Sequence, residues 1–219
     1  MNIEQARFNM IEQQIRPWDV LDQSVLSLLA VVKREDFVPP AHKALAFVDT
    51  EVPLPGPGGQ CMLAPKVEAR LLQELAVQKH ESVLEIGTGS GYMAALLGHK
   101  AQQVHSLEID AGLAQAARTN LRRAGVVNVT VLNVDGAQGL AAEAPFDVIV
   151  LSGSVAEVPA ALLAQLKLGG RLVAIVGQLP IMRATLFTHS SPNDFSSVEL
   201  FDTVAPRLRG FDEPSRFKF

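Results

Sequence analysis

Apolar positions recur at two intervals along the chain, and the change of interval divides it. Up to about residue 78 they fall at helical spacing. Ile3, Phe8, Ile11 and Ile15 predict a helix over 3–15. Pro17 stops it, because the residue before a proline is driven out of the α region. Asp22 is placed to cap a second helix carrying Val25, Leu28, Leu29 and Val32. Arg34 to Pro40 reads as a helix exit, and a short apolar segment follows near Leu45 to Val48. Residues 53–59 hold too much proline and glycine for a regular element, so they form a loop that delivers Gln60, Cys61, Met62 and Leu63. Pro65 opens a helix to about Ala76 with Val67, Leu71, Leu72 and Leu75 on its inner face.

After this arm, short apolar runs alternate with amphipathic stretches. The runs at 82–86, 104–108, 129–134, 147–151 and 171–176 predict strands. Helices are predicted at about 91–99, 111–124 and 159–166, with Gly169-Gly170 turning the last into the fifth strand. Such alternation builds a parallel sheet covered on both faces. Ala184 to Thr188 and Ser197 to Val204 alternate instead, around Ser190 to Asp194, and predict an antiparallel hairpin that finishes the sheet. The fold class is α/β, a doubly wound and mostly parallel sheet with an antiparallel C-terminal strand. We divide the chain into a helical arm with its loop at 1–78 and a sheet-bearing core at 79–219.

The 219 residues are 48% hydrophobic and 19% charged, which suits a packed core rather than a disordered chain. Net charge is −4 with no basic stripe, so nucleic acid is not an expected partner. No apolar run reaches membrane-spanning length and the start lacks a signal pattern, which predicts a cytoplasmic protein. Cys61 is the only cysteine, and the five histidines lack ligand spacing, so no metal site is expected. Oligomeric state is left open.

The chemistry centres on Glu85-Ile86-Gly87-Thr88-Gly89-Ser90-Gly91-Tyr92, a strand running through a glycine turn into a helix. Glycines let the backbone turn tightly and lie against a ligand, and the helix N–H groups point over the turn. A dinucleotide site needs a glycine where Tyr92 stands. An acid two residues before the first glycine suits a cationic ligand. Glu108 and Ile109 end the second strand about 20 residues on, where a carboxylate accepts ribose hydroxyls. Asp110 reads as a helix cap. Asp135 and Gly136 end the third strand, where an acid takes an adenine amino group and a glycine admits the ring.

The pattern E-x-G-x-G-x-G resembles motif I of the class I S-adenosylmethionine-dependent methyltransferases. The whole chain resembles the protein-L-isoaspartate O-methyltransferase family more narrowly. That resemblance rests on Met10 to Arg16, Arg34 to Pro39, Glu85 to Tyr92, Asp135-Gly136, Phe146 to Ile149, Glu157 to Pro159, Gln165-Leu166 and Gly169 to Leu172. It implies S-adenosyl-L-methionine as cofactor, held by Glu85, Gly87, Thr88, Gly89, Ser90, Gly91, Glu108, Ile109, Asp135 and Gly136. It implies methylation of isoaspartyl residues in protein or peptide substrates. It implies substrate contacts from Gln60, Cys61, Met62, Leu63, Ser152, Gly153 and Ser154.

One segment departs from the family. Its Gly-Gln-Thr-Ile-Ser-Gln-Pro reads here Gly59-Gln60-Cys61-Met62-Leu63-Ala64-Pro65, so both hydroxyl positions are lost. No catalytic residue is assigned, since Leu63 holds the family's hydroxyl position. Two alternatives stay open: the same fold with a more apolar acceptor, and a cofactor-binding protein without turnover. Trp18, Phe211, Phe217 and Phe219 read as packing residues. Arg207, Arg209, Arg216 and Lys218 read as a solvated basic tail.

Overall fold

A computed structural model describes residues 2–56, 58–192 and 194–213. The aromatic and basic positions Phe217, Phe219, Arg216 and Lys218 lie outside the described residues, as does Asn193 in the hairpin turn. The chain begins with α1 (Ile3–Met10), which widens into a π turn over Ile11–Ile15 and tightens into a 3₁₀ turn through Trp18. Ile11 and Ile15 are buried as expected, but Ile3 and Phe8 face solvent. The wider π turn shifts the buried stripe, so the 3.6-residue spacing fails across it. Pro17 opens that last turn rather than stopping the helix ahead of it.

Asp22 caps α2 (Gln23–Val31) by accepting from the Ser24 N–H at 2.7 Å. Then come α3 (Arg34–Phe37), a 3₁₀ turn at Pro40–Leu45, and a small antiparallel pair, β1 (Val52–Pro53) with β2 (Cys61–Met62). Pro53 therefore belongs to a regular element, at a strand edge where its missing N–H costs nothing. Helix α4 (Pro65–Leu75) buries Val67, Glu68, Leu71, Leu72 and Leu75 and ends with Ala76 in the left-handed region.

The core follows as β3 (Ser82–Ile86), α5 (Tyr92–Lys100), β4 (Gln103–Leu107), α6 (Ala111–Arg123), β5 (Val129–Leu132), β6 (Phe146–Val155), α7 (Ala160–Leu163), β7 (Leu166–Gln178), β8 (Ile181–Ser191) and β9 (Asp194–Thr203). The seven-stranded sheet runs β5-β4-β3-β6-β7-β8-β9. Strands β3 to β7 pair in parallel, and β8 and β9 add antiparallel pairings. The reversed strand is thus β8, and β9 returns to the direction of the parallel set. Residues Gly169 and Gly170 do not end a helix. They form an irregularity inside β7, where pairing jumps from Phe146↔Leu166 to Val148↔Arg171 and Gly169 takes φ +78°.

Alternate residues face two separate cores. Val83, Val104, Val148, Val150, Val173 and Ile175 pack under the arm and α4 to α6. Leu84, Ile86, Leu107, Ile149, Leu151 and Leu172 pack under α7. Among the described residues no helix is long and apolar enough to cross a membrane.

Buried Gln165 joins the β5–β6 connection to the end of α7. It donates to the carbonyls of Gln138 and Ala161 at 2.8 and 3.0 Å and accepts from the Leu140 N–H at 2.8 Å. Gln165→Leu is expected to destabilise the protein by about 2–4 kcal/mol despite its greater apolarity, because three backbone groups lose a partner. Denaturant unfolding at constant slope measures it.

Candidate functional site

Glu85 shares a face of β3 with Val83 and lies in register with Ser106 of β4, so the parallel pairing carries its side chain to the arm side of the sheet. It has no exposed surface. Ser106 Oγ donates to Glu85 Oε2 at 2.6 Å and Ser152 Oγ, from β6, to Oε1 at 2.8 Å. Thr88 Oγ1 reaches the same Ser106 hydroxyl at 2.6 Å. Burial pushes the Glu85 carboxyl up to about 8, against the two serine hydrogen bonds.

The glycine turn crosses above this acid. Gly87, Gly89 and Gly91 take φ of +93°, +54° and +86°, which side-chain-bearing residues rarely adopt. Their surroundings differ. A Cβ on Gly87 would stand 2.6 Å from Leu208 Cδ2, and one on Gly89 3.1 Å from Leu54 Cδ1. A Cβ on Gly91 would instead meet Ala117 of α6 at 3.3 Å. The third glycine thus admits a neighbouring helix, whereas the first two lie at a cleft.

That cleft encloses about 610 Å³ at the carboxyl ends of β3, β4 and β6. Gly87, Gly89, Glu108, Ile109, Gly136, Gln60, Cys61, Leu63, Ser152 and Gly153 all line it. Glu108 accepts from the Gly89 N–H at 2.8 Å and the Asp110 N–H at 3.0 Å, so it also braces the turn. Asp110 caps α6 through the Leu113 N–H at 3.0 Å. Thr88, Ser90 and Met62 line an inner chamber of about 260 Å³, together with Glu68, Glu85 and Tyr92.

Three expected residues stand apart. Asp135 is exposed, and its Oδ1 accepts from the Ala137 N–H at 2.9 Å beside Gly210. Ser154 is buried and donates to the Ala205 carbonyl at 2.8 Å, because β6 continues past the cleft there. Gly91 serves helix packing.

Several lining residues escaped the sequence reading. Residues 206–209 run across the cleft, pinned by the Ser154 N–H to the Pro206 carbonyl at 2.8 Å and the Leu208 N–H to the Ser154 carbonyl at 2.9 Å. Arg207 and Arg209 therefore line the cleft, Arg207 half-buried and Arg209 still exposed on its outer side. Phe211 packs at the edge of the second core, and Trp18 lies under Lys66 Nζ at 3.8 Å. Glu68 did carry a signal: it precedes Leu71, Leu72 and Leu75 at helical spacing, an acid on a buried stripe. Burial pushes its carboxyl up to about 7, opposed by Arg34. Cys61 is pushed up to about 12 by burial and by Glu51 beside it, so it is a slow nucleophile at neutral pH.

Comparison with known proteins follows this geometry. Residues 5–199 match the family model described as protein-L-isoaspartate(D-aspartate) O-methyltransferase. A protein-L-isoaspartate O-methyltransferase of Koribacter versatilis is 43% identical over 171 residues, 78% of this chain and 76% of that one. A solved protein-L-isoaspartate O-methyltransferase superposes with TM-score 0.77 at 25% identity, over 91% of this chain and 65% of its own length. A Plasmodium falciparum chain assigned as a beta-aspartate methyltransferase, solved with S-adenosyl-L-homocysteine, shares the fold at TM-score 0.76 and 21% identity, over 93% of this chain and 98% of that one.

Raised carboxyls give a signed pH effect. Between the ordinary carboxylate value and about 8 the folded protein holds a proton on Glu85 that the unfolded chain has released. Stability of the ligand-free protein should therefore fall as pH rises through that window, with Glu68 adding to the slope up to about 7. Glu85→Gln is expected to flatten the slope and melt higher than the parent at pH 8. Equal melting curves across pH 5–8 would show that burial does not hold this proton.

Proposed function

The chain belongs to the protein-L-isoaspartate O-methyltransferase family, and on that premise we propose that it transfers a methyl group from S-adenosylmethionine to the free α-carboxyl of isoaspartyl residues. The observation that carries the reading is the buried Glu85 of the inner chamber, which adjoins, across Gly87 and Gly89 at positive φ, the cleft that Glu108 lines.

These residues fit the cofactor. Glu85 keeps lone pairs free beyond its two serine bonds and would take the ammonium of the amino acid end. Glu108 would accept ribose hydroxyls from the position where it braces Gly89. A Cβ on Gly136 would stand 2.5 Å from Ile86 Cγ2, so only glycine keeps that wall flat for an adenine beside Ile109. Asp135 would act on the ring from the rim, beyond the lining residues. The cofactor supplies an activated sulfonium methyl.

The rest of the task is alignment. A carboxylate acceptor is already ionised at neutral pH, so no general base is required. Leu54, Leu63 and Leu208 keep the walls apolar and exclude water. Gln60, Cys61, Leu63, Ser152 and Gly153 would face the acceptor, with Met62 behind them. A more apolar acceptor is the second reading, favoured by Leu63 in place of a hydroxyl.

Calorimetry with S-adenosylhomocysteine should show saturable binding. Glu108→Ala should weaken it by about 1–3 kcal/mol, the scale for a lost charge-assisted bond. Unchanged affinity would reduce Glu108 to a brace for the turn. Labelled-methyl transfer should be slow on an isoaspartyl peptide and absent on the aspartyl control. Cys61→Thr with Leu63→Ser should accelerate it by one to two powers of ten, since each restored donor contributes about 1–1.5 kcal/mol. Brisk transfer by the parent protein would show the hydroxyls to be dispensable here. Absence of transfer by both proteins would favour the apolar acceptor.

A further inference from the structure

Arg34 is fully buried at the start of α3 and touches three elements that meet at the inner chamber. Its Nη2 donates to the Leu63 carbonyl at 2.8 Å. Its Nη1 pairs with Glu68 of α4. Its guanidinium carbon lies 5.2 Å from the ring centroid of Tyr92, which opens α5 directly after the glycine turn. Phe37, three residues on, stacks at a tilt on the same ring at 5.4 Å. One planar cation thus spans the acceptor loop, the helix that follows it, and the helix of the cofactor turn.

The acceptor loop needs such a tether. On its upstream side Cys61 and Met62 are held by pairing with Pro53 and Val52. On its downstream side Leu63 is held by Arg34. The Leu63 side chain lines both cavities, so the position of its carbonyl sets where that wall stands relative to Gly87 and Gly89. A buried ion pair adds little net stability, because desolvation offsets its attraction. Its use here is positional.

We propose that Arg34, held in place by Glu68, is a positioning residue for methyl transfer: it fixes the distance from the acceptor loop to the glycine turn. The inference rests on the transferase reading given above. It adds a residue that touches neither cofactor nor acceptor and acts through Leu63. Where a reaction depends on alignment, a displacement of about 1 Å costs on the order of a hundredfold in rate.

The test removes the tether without leaving a lone buried charge. Arg34→Met combined with Glu68→Met replaces the pair by apolar side chains, a change that usually leaves stability equal or higher. Arg34→Lys is the companion variant, since a single ammonium cannot serve Glu68 and the Leu63 carbonyl in the geometry of a guanidinium fork. Glu68→Gln is the conservative one, as its amide oxygen still accepts from Nη1. Two quantities are read with S-adenosylhomocysteine affinity monitored alongside. The first is kcat at saturating isoaspartyl peptide. The second is the rate at which 5,5′-dithiobis(2-nitrobenzoic acid) reacts with Cys61, the only cysteine of the chain. The double variant should lose about a hundredfold in kcat and expose Cys61 about tenfold faster, with cofactor affinity within twofold. Glu68→Gln, which keeps an acceptor for Nη1, should hold the thiol rate within about threefold of the parent. Faster thiol reaction in the double variant, with no turnover even in the parent, would reject the isoaspartyl reading and leave the tether standing. An unchanged thiol rate, or unchanged kcat with a faster thiol, would overturn the proposal.

Discussion

A carboxyl group without exposed surface sits at the end of β3, and the strands on either side supply every partner it has. Moving a bare carboxylate out of water costs several kcal/mol even after relaxation. Glu85 meets that cost with Ser106 from β4 and Ser152 from β6. Both serines lie on the same face of the sheet only because the parallel register holds Glu85 level with Ser106 and with Val150. A slip of one residue in either neighbouring strand would turn its hydroxyl to the far side and leave the acid one partner short. Register, hydroxyl placement and the glycine turn above are therefore one constraint. An acid kept largely protonated in such a place can release its proton to a cation that arrives with its own charge.

The two halves of the site have diverged in opposite ways. Around the glycine turn, Glu85 lines the inner chamber and Glu108 the cleft beside it, with Gly87 and Gly89 lining both. In the 59–65 segment the family's hydroxyl positions hold Cys61 and Leu63, and the buried ion pair of Arg34 and Glu68 lies behind them. An entering carboxylate would meet Glu68 and Glu85 across the chamber and find the Arg34 guanidinium behind them already engaged. Side-chain donors have in effect been exchanged for a scaffold that grips the loop by its backbone.

Much of this was legible in the sequence for definite physical reasons. Parallel strands covered on both faces read as apolar runs, so β3, β4 and β6 emerge within a few residues of their observed limits. The helix cap at Asp22 and the hairpin of β8 and β9 follow from local rules. Helix periodicity failed where Ile11 to Ile15 widen into a π turn, since no local residue type demands that turn. Gly169 and Gly170 were misplaced because a bulge inside a strand uses the same residues as a helix exit. Asp135 lies beyond the lining residues with its Oδ1 on the Ala137 N–H, since an Asp-Gly pair serves a turn as readily as a ligand. Ser154 and the wall at 206–209 depend on each other across distant parts of the chain, and no local pattern encodes such a pairing.

That wall has a consequence for how the site comes into being during synthesis. Residues 206–209 leave the ribosome after every strand of the sheet has been made, yet they cover Gly87 and Gly153 at its centre. A nascent chain that has emerged only as far as Thr203 contains the whole sheet, the buried acid and its serines, with the glycine turn open to water and to chaperones. The binding cleft is therefore completed last, by a segment whose contribution to the sheet is a single bridge to Ser154. The scaffold and the wall of its cavity are thus supplied by different parts of the polypeptide.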